Sequence, residues 1–339
     1  MTEAPAVGGE NTLKRWRVKV FAVSWMSYAG YYFCRKAFGI VKPELKSEYG
    51  FTDMELAHIW TAYLVAYMLG QFLAARLGQH FACRVLLLVG MMTSLIANFG
   101  IGVVITGGTE AYWALMVLML INGFAQATGW PGNVGLLAKW SHHSERGRLM
   151  AWWGTCYQIG SIFAKHFAAI MLAAMGLAWS FWGASVILLG VWAVFYFWGQ
   201  EDPESVGLSP MVEEVEVEGE EGAASRTLPW NEAFRIVIVM GVLYFCFKFL
   251  RYALDSWAPM LLEESFTELD TATAGHLSTA FDWVGFLGVI AGGYLSDKVF
   301  KSERTPAIFW MTLGTFIAMT LLYVFGSTHL ATFVVCLGM

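Results

Sequence analysis

Ten apolar stretches recur along the chain, and all but the last are close to the ~20 residues an α-helix needs to cross a bilayer. They cover approximately residues 20–41, 56–75, 85–106, 111–136, 149–173, 177–199, 236–262, 272–296 and 306–326, and the last begins at 330. Lipid gives backbone groups no hydrogen-bond partner, so each stretch must satisfy its own backbone as a helix and pack against its neighbours. Composition agrees. Of 339 residues, 57% are hydrophobic and 14% charged, where a soluble chain carries about a quarter charged. Mean hydropathy is +0.55. The sequence predicts an all-α polytopic membrane protein with about nine and a half transmembrane helices.

The spans fall into three segments: a six-helix bundle over residues 1–200, an acidic linker over 201–233, and an incomplete second bundle over 234–339. The linker contains Pro203, Pro210, Pro229 and the run Glu213 to Glu221 (EEVEVEGEE), too polar to bury a core. The final apolar run reaches Met339 after about half a membrane thickness, so the chain reads as a fragment. No cleavable leader precedes the first span, which reads as a retained helix. With the N-terminus inside, cytoplasmic segments hold 14 of the 21 Lys and Arg residues, from Lys14 to Arg304. Only Lys42 and Lys46 remain for the outer side, so the N-terminus and the linker are expected to be cytoplasmic.

Five cations lie within apolar spans: Arg35, Lys36, Lys165, Lys248 and Arg251. Only Asp255 and Asp282 oppose them. A cation inside a bilayer costs at least ~2.5 kcal/mol and faces a partner or a water-filled path. The net positive interior is therefore a place for an anion. Arg35 and Arg251 are each sixteenth from the start of their spans. Tyr28, Tyr31 and Tyr32 precede the first on its helical face; Tyr244, Phe247 and Lys248 precede the second. Two like halves around a midplane site is the pattern of secondary transporters. Arginine suits a phosphoryl group, because its fork donates two parallel hydrogen bonds and stays charged.

Around this pair, Tyr28 and Tyr32 are candidate ligand contacts, with Lys248, Tyr157, Gln158 and Gln126. Asn122 reads as helix glue. Lys36 is expected to pair across the halves, with Asp282 as first candidate partner and Asp255 as another acid for gating; the pair is either static or broken and re-formed in a cycle. Lys165, beside His166, lines the outer path or snorkels outward.

Other chemistries find little support. The five cysteines form no CxxC pair, so no metal site or disulfide is indicated. No GxSxG, HExxH or phosphate-binding glycine loop occurs, which argues against an enzyme. His142–His143, next to Glu145, reads as a solvated loop. No basic stripe points to nucleic acid.

The run Tyr31–Tyr32–Phe33–Cys34–Arg35–Lys36–Ala37–Phe38 resembles the first-helix motif of the organophosphate:phosphate antiporters, a branch of the major facilitator superfamily. Three further stretches resemble the same family: Gly129–Trp130–Pro131 with Trp140 and Glu145–Arg146–Gly147; Leu250–Arg251–Tyr252 with Trp257 and Pro259; and Gly293–Tyr294–Leu295–Ser296–Asp297–Lys298. The resemblance implies two pseudo-symmetric six-helix bundles and a monomer without cofactor in the plasma membrane. It implies exchange of a sugar phosphate or glycerol 3-phosphate for inorganic phosphate by alternating access. It equates the family's essential arginines with Arg35 and Arg251, its ligand tyrosines with Tyr28 and Tyr32, and its interdomain ion pair with Lys36 and Asp282. Departures are Gln71 for a lysine, Tyr157 for a histidine, Lys248 for a tyrosine, and Gly78–Gln79–His80 for the usual Asp–Arg. Gln71 thus marks a path position whose cation is expected to have moved to Lys248. Some members of the family are sugar-phosphate sensors acting with a membrane kinase, which gives the alternative function.

Overall fold

The computed structural model describes residues 7–211, 230–294, 298–300 and 304–338. The acidic run Glu213–Glu221, Arg226, Pro229, Lys301 and the Leu295–Asp297 part of the last motif lie outside the described residues. Over the described residues every expected span is helical. α1 (Val7–Ser47) and α2 (Asp53–Leu77) are long single helices, followed by α3 (Cys83–Val104). The fourth span divides into α4 (Tyr112–Gln126) and α5 (Gly129–Lys139), and α6 (His143–Trp153) leads into α7 (Thr155–Met175). α8 (Leu177–Trp198) completes the first bundle. Beyond the linker come α9 (Trp230–Ser265), α10 (Thr271–Leu277), α11 (Ala280–Tyr294), α12 (Arg304–Phe325) and α13 (Leu330–Gly338).

Local chemistry explains the boundaries. Thr52 and Glu55 form a reciprocal capping box that starts α2. The α4–α5 break follows from Pro131, which has no N–H to give the Ala127 carbonyl one turn back. The Gln71 side chain supplies that donor instead, Nε2 to Ala127 O at 3.1 Å. The α3–α4 connection turns at Gly108, whose φ of +62° suits glycine. α3 has no capping side chain of its own. Glu201, from the end of the bundle, accepts from the Cys83 and Arg84 amides at 3.1 and 2.7 Å and also holds Lys139 Nζ at 2.5 Å.

α1 packs on α7 and α8, α2 on α4, and α3 on α4 and α8. Two apolar cores stack along the bundle. One, around Trp140, Trp153 and Phe195, lies toward the linker; the other, around Phe38, Trp60 and Phe181, lies toward the far end. In the second half a smaller core joins α9, α10 and α13 through Leu262, Ala274 and Phe333. By length and hydropathy six described stretches qualify as membrane spans, α3 to α5 counted as one. α1 is not among them, because serines, tyrosines and two cations dilute it.

The halves meet toward the far end. α1 touches α9 and α10, and α7 touches α10 and α11. α10 approaches closely because residue 275 is glycine; a Cβ there would stand 3.1 Å from Ile40 and 3.3 Å from Ala169. The linker-end half of α9, from Ile236 to Phe245, is exposed.

Glu201 is a single side chain tying α3, α5 and the bundle exit together. Glu201→Ala is expected to lower stability by about 1–3 kcal/mol, read as a fall in the thermal midpoint in detergent, with the exposed Glu204→Ala as the neutral comparison. Equal midpoints would show that the cap is replaceable by water.

Candidate functional site

Arg35 sits two-thirds of the way along α1, 7% exposed. Its guanidinium lies over the Tyr32 ring at 4.7 Å and the Tyr67 ring at 4.8 Å, an arrangement that favours a desolvated cation. Nε donates to Gln126 Oε1 at 2.9 Å, and Tyr63 OH donates to the same oxygen at 3.0 Å. The Gln126 amide nitrogen is held in turn by Ser94 Oγ and Asn122 Oδ1 at 3.3 and 3.1 Å. Gln126 is thus fully engaged and aims Arg35. Asn122 also donates to the Cys34 carbonyl at 3.2 Å, tying α4 to α1. Buried Arg35 Nη2 has no hydrogen-bond partner among the described residues. It borders a cavity of about 10 Å³, also lined by Lys36, Lys165 and Asp255, about the size of one water.

Arg251, on α9, stacks over the Tyr157 ring of α7 at 5.0 Å. Lys248, one turn earlier, lies over Tyr244 and Tyr252 at 5.0 and 5.7 Å. Tyr32 is within electrostatic reach of both arginines, and Lys248 of both as well. None of these three cations has an ion-pair partner among the described residues. Tyr28 packs edge-on against Tyr32 at 5.8 Å and against Trp130 at 5.6 Å, with Trp153 behind. Gln158 is buried, and its amide faces Gly285 of α11.

The remaining charges form a chain through four helices. Lys36 pairs with Asp255. Lys165 pairs with Asp255 at 2.8 Å and with Asp282 at 2.7 Å. Two expectations change here. Lys36 pairs with Asp255 rather than Asp282, because α1 lies beside α9 while α7 separates it from α11. Lys165 neither lines an outer path nor snorkels: at 1% exposure it is the link between the two acids. Gln71 is tied to the Pro131 break through its bond to the Ala127 carbonyl. A third correction concerns Lys42, which is not a solvated outer residue but is buried at the far end. It is 0% exposed, donates to Ser256 Oγ at 2.7 Å, and lies over the Trp257 ring at 3.8 Å and Trp60 at 5.5 Å.

Further pairs join the halves at the far end: Lys46 with Glu264 at 2.5 Å, and His166 with His276, Nδ1 to Nδ1 at 2.7 Å. At the linker end, Glu145 pairs with Arg17 and caps α6 together with His142. No group of three or more metal-binding side chains occurs among the described residues.

Tyr63 and Tyr67 were not singled out by the sequence, and Lys42 only as an outer-side cation. Trp60, Tyr63 and Tyr67 stack in succession at 4.9 and 6.1 Å. Their three- and four-residue spacing is the only trace they leave.

The profile described as Major Facilitator Superfamily matches residues 24–339. A glycerol-3-phosphate transporter of Bacillus subtilis is 30% identical, over 90% of this chain and 70% of the relative. The membrane sensor protein UhpC of Escherichia coli is 26% identical, over 86% and 67%. A probable hexose phosphate transport protein of Chlamydia pneumoniae is 25% identical, over 90% and 70%. Among solved structures, a bacterial homologue of the human lysosomal transporter Spinster, inward-facing and occupied, superposes with a TM-score of 0.70 at 14% identity, over 95% of this chain and 70% of that one. That likeness concerns the fold.

The charge chain makes its own prediction. Lys165→Met alone strands buried Asp282 and leaves Asp255 with Lys36 as its one cation, and is expected to cost about 3–5 kcal/mol. Adding Asp282→Leu should recover part of the loss, read as thermal midpoints of the single and double variants. Additive losses would show that the pair is not coupled.

Proposed function

From a chain that belongs to the major facilitator superfamily, and within it to the organophosphate:phosphate antiporter branch, we propose a secondary transporter that exchanges a phosphate ester for inorganic phosphate. It is an integral membrane transporter, not an enzyme. The ester is a sugar phosphate or glycerol 3-phosphate. The observation that carries this reading is that Arg35, Arg251 and Lys248 make no ion pair among the described residues, while Lys36 and Lys165 are matched by Asp255 and Asp282. A phosphate dianion supplies the missing charge, and Arg35 Nη2 is an open donor for it. Tyr32, Tyr28, Tyr157 and Gln158 frame the organic part.

The mechanism follows from the charges. The bundles 1–200 and 234–339, joined by the linker 201–233, carry one arginine each. Unloaded, the guanidiniums repel across the cleft. A bound oxyanion draws both in, so a loaded carrier reorients more readily than an empty one, and transport is obligatory exchange. With the N-terminus and linker cytoplasmic in the plasma membrane, the contacts of Lys42, Lys46 and His166 close the outer side. The conformation is then inward-facing. We propose a monomer as the working unit.

Similarity to UhpC favours a second reading, a sensor that binds the ester without carrying it. Counterflow separates the two, since a sensor binds ester but releases no trapped phosphate.

In vesicles loaded with labelled phosphate, external ester is expected to drive release, and unloaded vesicles should take up ester far more slowly. Arg35→Lys and Arg251→Lys should each reduce exchange roughly 10- to 100-fold, because a bidentate contact is lost while the charge is kept. Equal uptake by loaded and empty vesicles would contradict obligatory exchange. Undiminished exchange by both variants would contradict the oxyanion site.

A further inference from the structure

A second cavity, of about 690 Å³, opens at the linker end between α1 and the α6–α7 pair, away from the arginines. Its wall is graded by depth. Lys14 and Arg17 of α1, with Glu145 and Arg148 of α6, stand at the mouth. Phe21, Trp25, Met26 and Trp152 line the interior, which ends at Thr155, hydrogen-bonded to Trp25 Nε1 at 3.0 Å. From Lys14 to Met26, α1 rises ~18 Å. That is a headgroup layer plus most of one leaflet of a ~30 Å hydrocarbon core.

Arg17 is matched by Glu145. Among the described residues Lys14 and Arg148 have no carboxylate partner, so the described mouth carries two more cations than acids. The flank is apolar and open: Trp152 is 69% exposed. A free phosphate ester could satisfy the cations but would leave this wall bare. A phospholipid satisfies both, since its phosphate and its chain are separated along the depth in which the wall changes character.

We propose that this groove is a binding site for an anionic phospholipid, with the headgroup phosphate against Lys14 and Arg148 and an acyl chain between Trp25 and Trp152. The site is independent of the ester-binding reading of Arg35 and Arg251, and spans the junction between α1, which carries Arg35, and α6–α7, which leads to Lys165. Cations at the membrane surface contribute about 1 kcal/mol each toward anionic lipid.

The test is native mass spectrometry of the full chain released from detergent, titrated with phosphatidylglycerol or phosphatidylcholine. One phosphatidylglycerol is expected to be retained in preference to phosphatidylcholine. Lys14→Gln with Arg148→Gln should weaken that retention roughly 30-fold, two surface cations being lost. Trp152→Ala should weaken it through the chain contact, and Arg76→Gln, at an exposed helix end elsewhere, should leave it unchanged. An unaltered thermal midpoint without added lipid confirms that the variants are folded. Equal retention of the two lipids, or equal loss with Arg76→Gln, would overturn the proposal. Displacement of the lipid by millimolar glycerol phosphate, with no effect of Trp152→Ala, would also overturn it by reducing the site to a headgroup-sized anion contact.

Discussion

Lys36 and Asp255 set the geometry on which the rest of the site depends. Lys36 follows Arg35 directly on α1, and Asp255 stands one helical turn beyond Arg251 on α9. Joining the two therefore sets Arg35 and Arg251 within about one helical turn of each other in depth on neighbouring helices. Lys165 extends the junction by holding Asp255 and Asp282 together, so α1, α7, α9 and α11 are linked through four buried charges of zero net sum. Burying such a set is costly unless every member is matched. Here each is matched, and the matching uses both acids that the apolar spans contain. Arg35, Arg251 and Lys248 are left without one.

Aromatic groups and amides make that excess tolerable. Arg35 rests between Tyr32 and Tyr67 and is aimed by Gln126, whose own amide is anchored by Ser94 and Asn122. Arg251 rests on Tyr157. Ring faces stabilise a cation without neutralising it. The same device holds Lys42 at the far end, where Trp257 and Trp60 flank an ammonium whose hydrogen bonds, among the described residues, go to Ser256. Rings at the centre hold cations that make no ion pair among the described residues; rings at the far end bind the two halves to each other. The contacts between the halves crowd toward one end.

Much of this was legible in the sequence because membrane helices advertise themselves through length and hydropathy. The matched positions of Arg35 and Arg251 were visible as a repeat, and the surplus of cations as a count. Which acid meets which lysine was not visible. Asp255 and Asp282 look equivalent from a sequence, and only the neighbour relations of α1, α7, α9 and α11 distinguish them. Lys42 was misplaced for a related reason. Near the end of a span a lysine ordinarily snorkels to water, and the opposing tryptophan that captures it lies more than two hundred residues away. The partner of Gln71 was not visible either, because the Ala127 carbonyl is orphaned by Pro131, a proline two spans further along the chain. Tyr63 and Tyr67 carried no charge to draw notice.

The central claim is that an oxyanion completes the charge balance between the bundles at Arg35 and Arg251. A structure determined with a bound phosphate ester tests it most directly. The account predicts phosphorus between the two guanidinium groups, with an oxygen of the ester on Arg35 Nη2 and the Lys36–Asp255 and Lys165–Asp282 pairs intact beside it. Phosphorus elsewhere in the molecule, or either arginine paired with Asp255 or Asp282 in place of its lysine, would contradict it.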